Sequence, residues 1–327
     1  LIYYASKLKK VGVYMRILLS LFMLFFSISV FAADAVVAKV GKVNILEKEV
    51  DIILSDIVMK QGIDPKTLDQ KNPKVAEVKN DIVKNLIQRE ILLTYALKSI
   101  PKDIDQRTNK AYEDLKKKYK DQKDFEAAMK NGGTNEKEVK EKIRKNIILE
   151  NYVNSLAKDI NVTEAEKKDF YSKNPDIFKD PELVKASHIL IKVDDKQSDR
   201  DAKAKIDSIY KELKAGKNFE ELAKKYSQDG TAAKGGDLGF FPRGVMVKEF
   251  ENVAFSTPVG KFSEPFKTQF GYHIVKVTEK KPAKTYTYDE VSKHIEGKLR
   301  MDKLKVVLDK KVEEGKKSVK VEILKKY

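Results

Sequence analysis

Two histidines and one aspartate form the arrangement in this sequence most suited to chemistry. His188 stands in an apolar run, Ser187-His188-Ile189-Leu190-Ile191, and His273 opens another, His273-Ile274-Val275. They are two of only three histidines in 327 residues. Between them lie Ser227-Gln228-Asp229-Gly230, then Gly235-Gly236-Asp237-Leu238-Gly239, then Met246 and Phe250. A lone strand histidine is ordinarily a satisfied core residue. Two of them, separated by a glycine-rich loop that carries a carboxylate, read instead as a site of fixed polar groups. No third His or Cys stands nearby, so the pattern does not read as a metal site.

Other chemistries are excluded by what the chain lacks. With no cysteine there is no disulfide scaffold, no Cys-ligated metal, no thiol nucleophile and no lipid-modified Cys anchor. No His-Glu-x-x-His, Gly-x-Ser-x-Gly or P-loop occurs. Asp194, Asp195, Asp199 and Asp201 lack the Gly and terminal Glu of a calcium loop, and read as a polar loop and a helix start. The formal charge is +16, which first suggests nucleic acid. Arginine, the main reader of guanine edges, is scarce among the bases, however. The lysines are interleaved with acids, as in Glu136-Lys137-Glu138-Val139-Lys140-Glu141-Lys142. That is a solvated helix face with i,i+4 pairs, and no nucleic-acid partner is expected.

The elements that must position these residues follow from hydrophobic period. Residues 183–193 read as a strand, 199–214 and 219–226 as helices, and 238–241 as a short strand. A helix over 245–255 and strands over 263–268 and 273–278 complete a β-α-α-β-α-β-β unit, an α+β domain over 181–281. Upstream, Val36–Val40 and Val43–Ile45 are β-prone. Apolar stripes at Val50, Ile53, Leu54, Ile57 and Val58, at Ile82 through Leu97, and at Ile143 through Leu156 predict three helices. The 103–130 stretch between them is helical and more polar. Asn131-Gly132-Gly133 breaks it, with a new start at Thr134, and Thr163 with Glu166 forms a capping box. The last segment, 282–327, offers a helix and an alternating strand, Val319 to Ile323. It holds too little apolar surface to stand alone. We therefore expect it to pack on the 33–180 helical module, its strand near Val36–Val43 with Val319, Val321 and Ile323 buried. The α+β domain is then an insertion.

Residues 1–32 have the form of upstream sequence and a secretory leader. Met15-Arg16 precedes an uncharged run from Ile17 to Phe31, with Val30 and Ala32 placed for cleavage after Ala32. The run is shorter than the ~20 residues that span a bilayer, which favours a cleaved leader over a retained anchor. The expected location is the periplasm or the exterior of a bacterial cell.

Residues 181–280 resemble a parvulin-type peptidyl-prolyl cis/trans isomerase domain. The resemblance runs through His188-Ile-Leu-Ile-Lys192, Phe219 to Ser227, Gly236-Asp-Leu-Gly239, Met246 to Phe250 and Phe270-Gly-Tyr-His-Ile274. The flanks resemble exported foldases of the SurA and PrsA type. The likeness implies that His188 and His273 are a paired set joined in one hydrogen-bond network, with Asp229 beside them. It places Leu238, Met246 and Phe250 around the proline ring, with Thr268 and Phe270 at the rim of the histidine pair. Lys192 matches a basic position of phospho-specific relatives. Their Arg pair in the next loop is replaced by Asp194-Asp195, so phosphoserine recognition is not expected. The implied function is isomerisation and chaperoning of unfolded exported polypeptides with X-Pro bonds, with no cofactor. The alternative is a holding chaperone whose parvulin domain binds without catalysing. Exchange of elements between two copies makes a homodimer an expectation as well.

Overall fold

The computed structural model describes residues 35–327, in two compact units, one formed by 35–172 with 292–327 and the other by 173–291. The leader expected over 1–32 lies outside the described residues. No helix among them is long and apolar enough to cross a membrane.

The first unit opens with a hairpin, β1 (Val36–Val40) and β2 (Val43–Leu46). Helix α1 (Glu47–Met59) follows at once, and Glu49 reaches back to accept the Leu46 N–H at 3.0 Å. Helix α2 (Pro73–Ala96) starts on an Asn72 cap with proline in its first turn, where a missing N–H costs nothing. It buries Ile82, Leu86, Ile87, Ile91 and Leu93, but Leu97, expected to end that stripe, falls past the last turn and is exposed. The 103–130 stretch is two helices, α3 (Ile104–Lys116) and α4 (Gln122–Asn131), the second capped by Asp121. Helix α5 (Glu136–Lys158) is capped by Asn135, one residue later than expected. Thr134 instead bonds the Glu138 carboxylate at 2.9 Å. Helix α6 (Glu164–Lys173) has a reciprocal cap: Thr163 N–H donates to Glu166, and Glu166 N–H donates to Thr163 Oγ1.

The second unit holds β3 (Lys179–Asp180), β4 (Leu183–Lys192), α7 (Asp199–Lys214), α8 (Phe219–Tyr226), β5 (Asp237–Pro242), α9 (Lys248–Ser256), β6 (Phe266–Thr268), β7 (Gly271–Lys281) and β8 (Lys284–Thr285). Four strands form an antiparallel sheet in the order β5-β4-β7-β6, and β3 pairs with β8. Both faces of the sheet are covered, so β4 is buried almost continuously from Val184 to Ile191, Ser187 and His188 included, rather than on alternate residues. Ile189, Ile191, Tyr272 and Ile274 pack with α7 and α8 on one face. Val184, Ala186, Val275 and Val277 pack with α9 on the other. The helix expected from 245 starts at Lys248, because 243–247 form a turn. The strand expected from 263 is only Phe266–Thr268. At Ser263 the side chain, not the backbone carbonyl, accepts the Val275 N–H at 3.1 Å, which interrupts the ladder.

The chain then returns to the first unit. Helix α10 (Tyr288–Lys316) buries Leu304, Leu308 and Val312 in the same core as α1, α2 and α5. Gly315 is the close-approach point: a Cβ there would lie 2.3 Å from Ile91 Cγ2. Strand β9 (Val321–Ile323) pairs antiparallel with β1, with Ala38 opposite Ile323 and Val40 opposite Val321. Val319 and Val321 pack on the core, but Ile323 is exposed, contrary to its alternation. It is the last residue of an edge strand with one neighbour, too little cover to bury it.

Candidate functional site

Strand pairing brings the two histidines together. His188 on β4 stands opposite Val275, and His273 on β7 stands opposite Leu190. They are therefore diagonal neighbours on the α9 face, a relation that keeps side chains in reach. Their rings stack at 5.6 Å between centroids, 22° from parallel, and both are buried. Phe250, projecting from α9, meets both rings edge-on, at 5.6 Å from His188 and 5.5 Å from His273.

Each histidine has its own polar partner. His188 Nε2 lies 3.1 Å from Asp229 Oδ1. It is a close polar contact, and within the protein the His188 ring nitrogens make no other. His273 Nε2 is 2.8 Å from Thr268 Oγ1, which also accepts the Phe270 N–H at 3.1 Å. Among the described residues no direct hydrogen bond joins the two histidine rings. Two separate polar chains meet through ring stacking, and Nδ1 of each ring is buried without a hydrogen bond.

The charges of the pair are set by surroundings. Burial works to raise the Asp229 pKa, but the Thr231 hydroxyl and N–H, at 2.6 and 2.8 Å, together with His188, hold it down at about 2. Burial lowers His273 to about 4, helped by His188 and opposed by Asp229. At neutral pH the cluster therefore holds an ionised Asp229 carboxylate and a neutral His273 imidazole.

Leu238 and Met246 are half-buried against the cluster that holds Phe250. Thr268 is buried, whereas the Phe270 ring is about half exposed and only its backbone touches the polar chain. Lys192 is exposed, and its N–H donates to Gln228 Oε1 at 2.6 Å. The acidic loop is occupied with its own structure: Asp194 accepts the Lys196 and Gln197 N–H groups, and Asp199 accepts from Tyr272 and pairs with Lys267.

Four residues of the site were given no role of their own from sequence, Gly236 having been named only as part of a motif. Phe266 stacks on His273 at 5.4 Å and lies opposite it in the ladder; its i,i+2 spacing from Thr268 could have pointed to it. Thr231 fixes the Asp229 carboxylate, and the Asp-x-Thr spacing is a local turn signal. Gly236 has φ +76°, and a Cβ there would lie 2.1 Å from the His188 carbonyl oxygen, so only glycine lets this loop lie against the strand. Glu251 is buried, and one of its oxygens accepts the N–H groups of Gly244, Val245 and Met246 at 2.6, 2.9 and 3.0 Å. Nothing in the sequence marks that carboxylate as buried.

With this geometry in hand, comparison with known proteins is informative. The sequence matches the PPIC-type PPIase domain over residues 171–281 and the SurA-like N-terminal domain over residues 6–153. It is 31% identical over 308 residues to the foldase protein PrsA of Clostridium botulinum (strain Loch Maree / Type A3), covering 90% of this chain and 89% of that one. It is 37% identical over 254 residues to the foldase protein PrsA of Geobacillus sp. (strain WCH70), covering 77% and 82%. Among solved structures, a SurA-like chaperone of Campylobacter jejuni matches at 28% identity and a TM-score of 0.42, over 88% of this chain and 99% of that one. Bacillus anthracis PrsA matches at 31% identity and a TM-score of 0.28, over 71% and 96%.

Proposed function

The chain belongs to the PrsA foldase family, and from that premise we propose that the cluster around His188 and His273 is its peptidyl-prolyl isomerase site. The chain is a peptidyl-prolyl cis/trans isomerase of the parvulin type, joined to a SurA-like module, and acts as a foldase on unfolded protein substrates.

Leu238, Met246 and Phe250 form the apolar seat for the proline ring, with Thr268 and Phe270 at its edge. Planar X-Pro bonds exchange in tens to hundreds of seconds because rotation sacrifices amide resonance. No covalent bond breaks, so the site needs neither nucleophile nor cofactor. In the planar imide the carbonyl oxygen carries excess negative charge, and twisting returns that density to nitrogen. A fixed carboxylate at Asp229 disfavours the planar distribution more than the twisted one. His273, neutral and held by Thr268, supports the floor of the seat without adding a charge under the ring. His188 links the carboxylate to that floor. Met246 suits a seat that must follow a changing ring orientation, because its unbranched side chain adapts.

The observation that carries this reading is the stacked, buried histidine pair edge-on to Phe250, with half-buried Leu238 and Met246 beside it. Titrating an unlabelled X-Pro peptide into 15N-labelled protein tests it. Amide shifts are expected to concentrate at 229, 238, 246, 250 and 268–273. Shifts confined to the helical unit would refute the assignment.

The finer setting belongs to the same proposal. The leader over 1–32 supports export to the periplasm or beyond the cell, with a mature start at Ala33 that N-terminal sequencing would reveal. Asp194 and Asp195 beside Lys192 support clients without phosphoserine. The interleaved lysines and acids support a protein client rather than nucleic acid. A module assembled from both ends of the chain supports a homodimer by exchange of elements, which light scattering would detect.

A further inference from the structure

Glu251 takes no part in the isomerisation as described above, and we infer that its carboxylate is the positioning residue that holds Met246 in register with Phe250 and so sets how tightly the proline ring is bound. The inference rests on the assignment of both residues to the proline seat.

Glu251 is the only Asp or Glu among the described residues with so little exposure, 8%. Burying a carboxylate costs several kcal/mol unless its oxygens are satisfied. Here the compensation is backbone. Gly244, Val245 and Met246 are consecutive, and their three N–H groups converge on one oxygen. Glu251 also lies in the first turn of α9, where a negative charge is favoured.

The turn has other contacts on its flanks: the Arg243 guanidinium lies over the Phe255 ring, and the Met246 and Val247 side chains pack on the core that holds Phe250. Gly244 sits at φ +85°, and Val247, the residue that starts the helix, makes no side-chain cap. Val245 is exposed. At the backbone, the N–H groups of Gly244, Val245 and Met246 take the Glu251 oxygen as their acceptor, and this fixes where the Met246 side chain leaves the turn. Phe250 is the residue before Glu251 on the same helix, so one turn of α9 sends a ring to the histidine pair and a carboxylate to the loop. The two walls of the seat are locked to each other through Glu251.

Water can replace part of what the exposed turn loses, so the expected change is about tenfold in affinity, equivalent to about 1.4 kcal/mol. In full-length Glu251→Ala the peptide KM is expected to rise about tenfold, with kcat within about threefold of wild type. The amides of Gly244, Val245 and Met246 should exchange faster with solvent. Glu251→Gln keeps one acceptor oxygen and is expected to show both effects at about a third of the size. It also serves if the alanine variant does not fold. A folded variant in which these three amides lose protection while KM is unchanged overturns the inference, provided Met246→Ala raises KM. If Met246→Ala leaves KM unchanged, the proline-seat assignment fails instead.

Discussion

The Thr268 hydroxyl lies 2.8 Å from His273 Nε2, and its oxygen also takes the Phe270 N–H. This fixes a buried imidazole whose pKa, pulled down to about 4 chiefly by burial, is well below the ordinary 6.5. In the unfolded chain the ring gains a proton as pH falls through 6.5, while the folded ring resists until about 4. The contribution of His273 to stability is therefore complete above 6.5 and is lost as pH falls to about 4. Imidazole NMR should show His273 neutral down to that pH. The stability advantage of wild type over His273→Gln should shrink across the same window. A ring that titrates near 6.5 would contradict the burial argument.

Phe250→Ala removes a buried ring that touches both histidines, Phe241 and Phe266. The expected cost is about 3–5 kcal/mol of stability. We expect kcat/KM to fall more than tenfold at a temperature where circular dichroism still shows a folded protein. Phe250→Leu, which retains most of the volume, should fold nearly normally and yet lose part of the activity.

Much of the site was legible in the sequence because its residues sit at regular positions in short strands. His188 and His273 were visible as polar interruptions of apolar runs, and Leu238, Met246 and Phe250 through family spacing. Their partners were less visible because the contacts are made across the fold. Phe266 is recognisable only once β6 is paired with β7. Glu251 looks like any acidic residue on a helix until the 243–246 turn folds onto it. The stacking of the two histidines was not legible either, since ring orientation depends on Phe250 and Phe266 and not on strand register alone. At the C-terminal end, alternation gave a strand over 319–323, of which 321–323 pair with β1, and edge exposure of Ile323 is a property of sheet order, which alternation does not encode.

Gly315→Ala tests the discontinuous helical unit. A methyl group would meet Ile91 and the Tyr95 ring, forcing α10 away from α2. The expected penalty is about 1–3 kcal/mol, read as a lower midpoint for that unit in denaturant. The peptide-binding amide shifts of the other unit should be unchanged. A midpoint equal to that of wild type would mean that α10 does not rely on this close approach.

The two units should divide the work. A full-length His188→Ala, Phe250→Leu double variant is expected to lose isomerase activity and still suppress aggregation of a denatured client at wild-type ratios. Loss of both activities together, in a protein that circular dichroism shows to be folded, would place client holding at the isomerase site.

Exchange NMR on an X-Pro peptide, with full-length protein at substoichiometric concentration, tests the central claim most directly. Wild type should give cis–trans cross-peaks at mixing times far below the tens of seconds of the uncatalysed reaction. Asp229→Asn should weaken them through kcat, and Phe250→Leu through KM. Wild-type protein that is folded and gives only the uncatalysed rate, or variants that exchange the peptide as fast as wild type, would contradict the account.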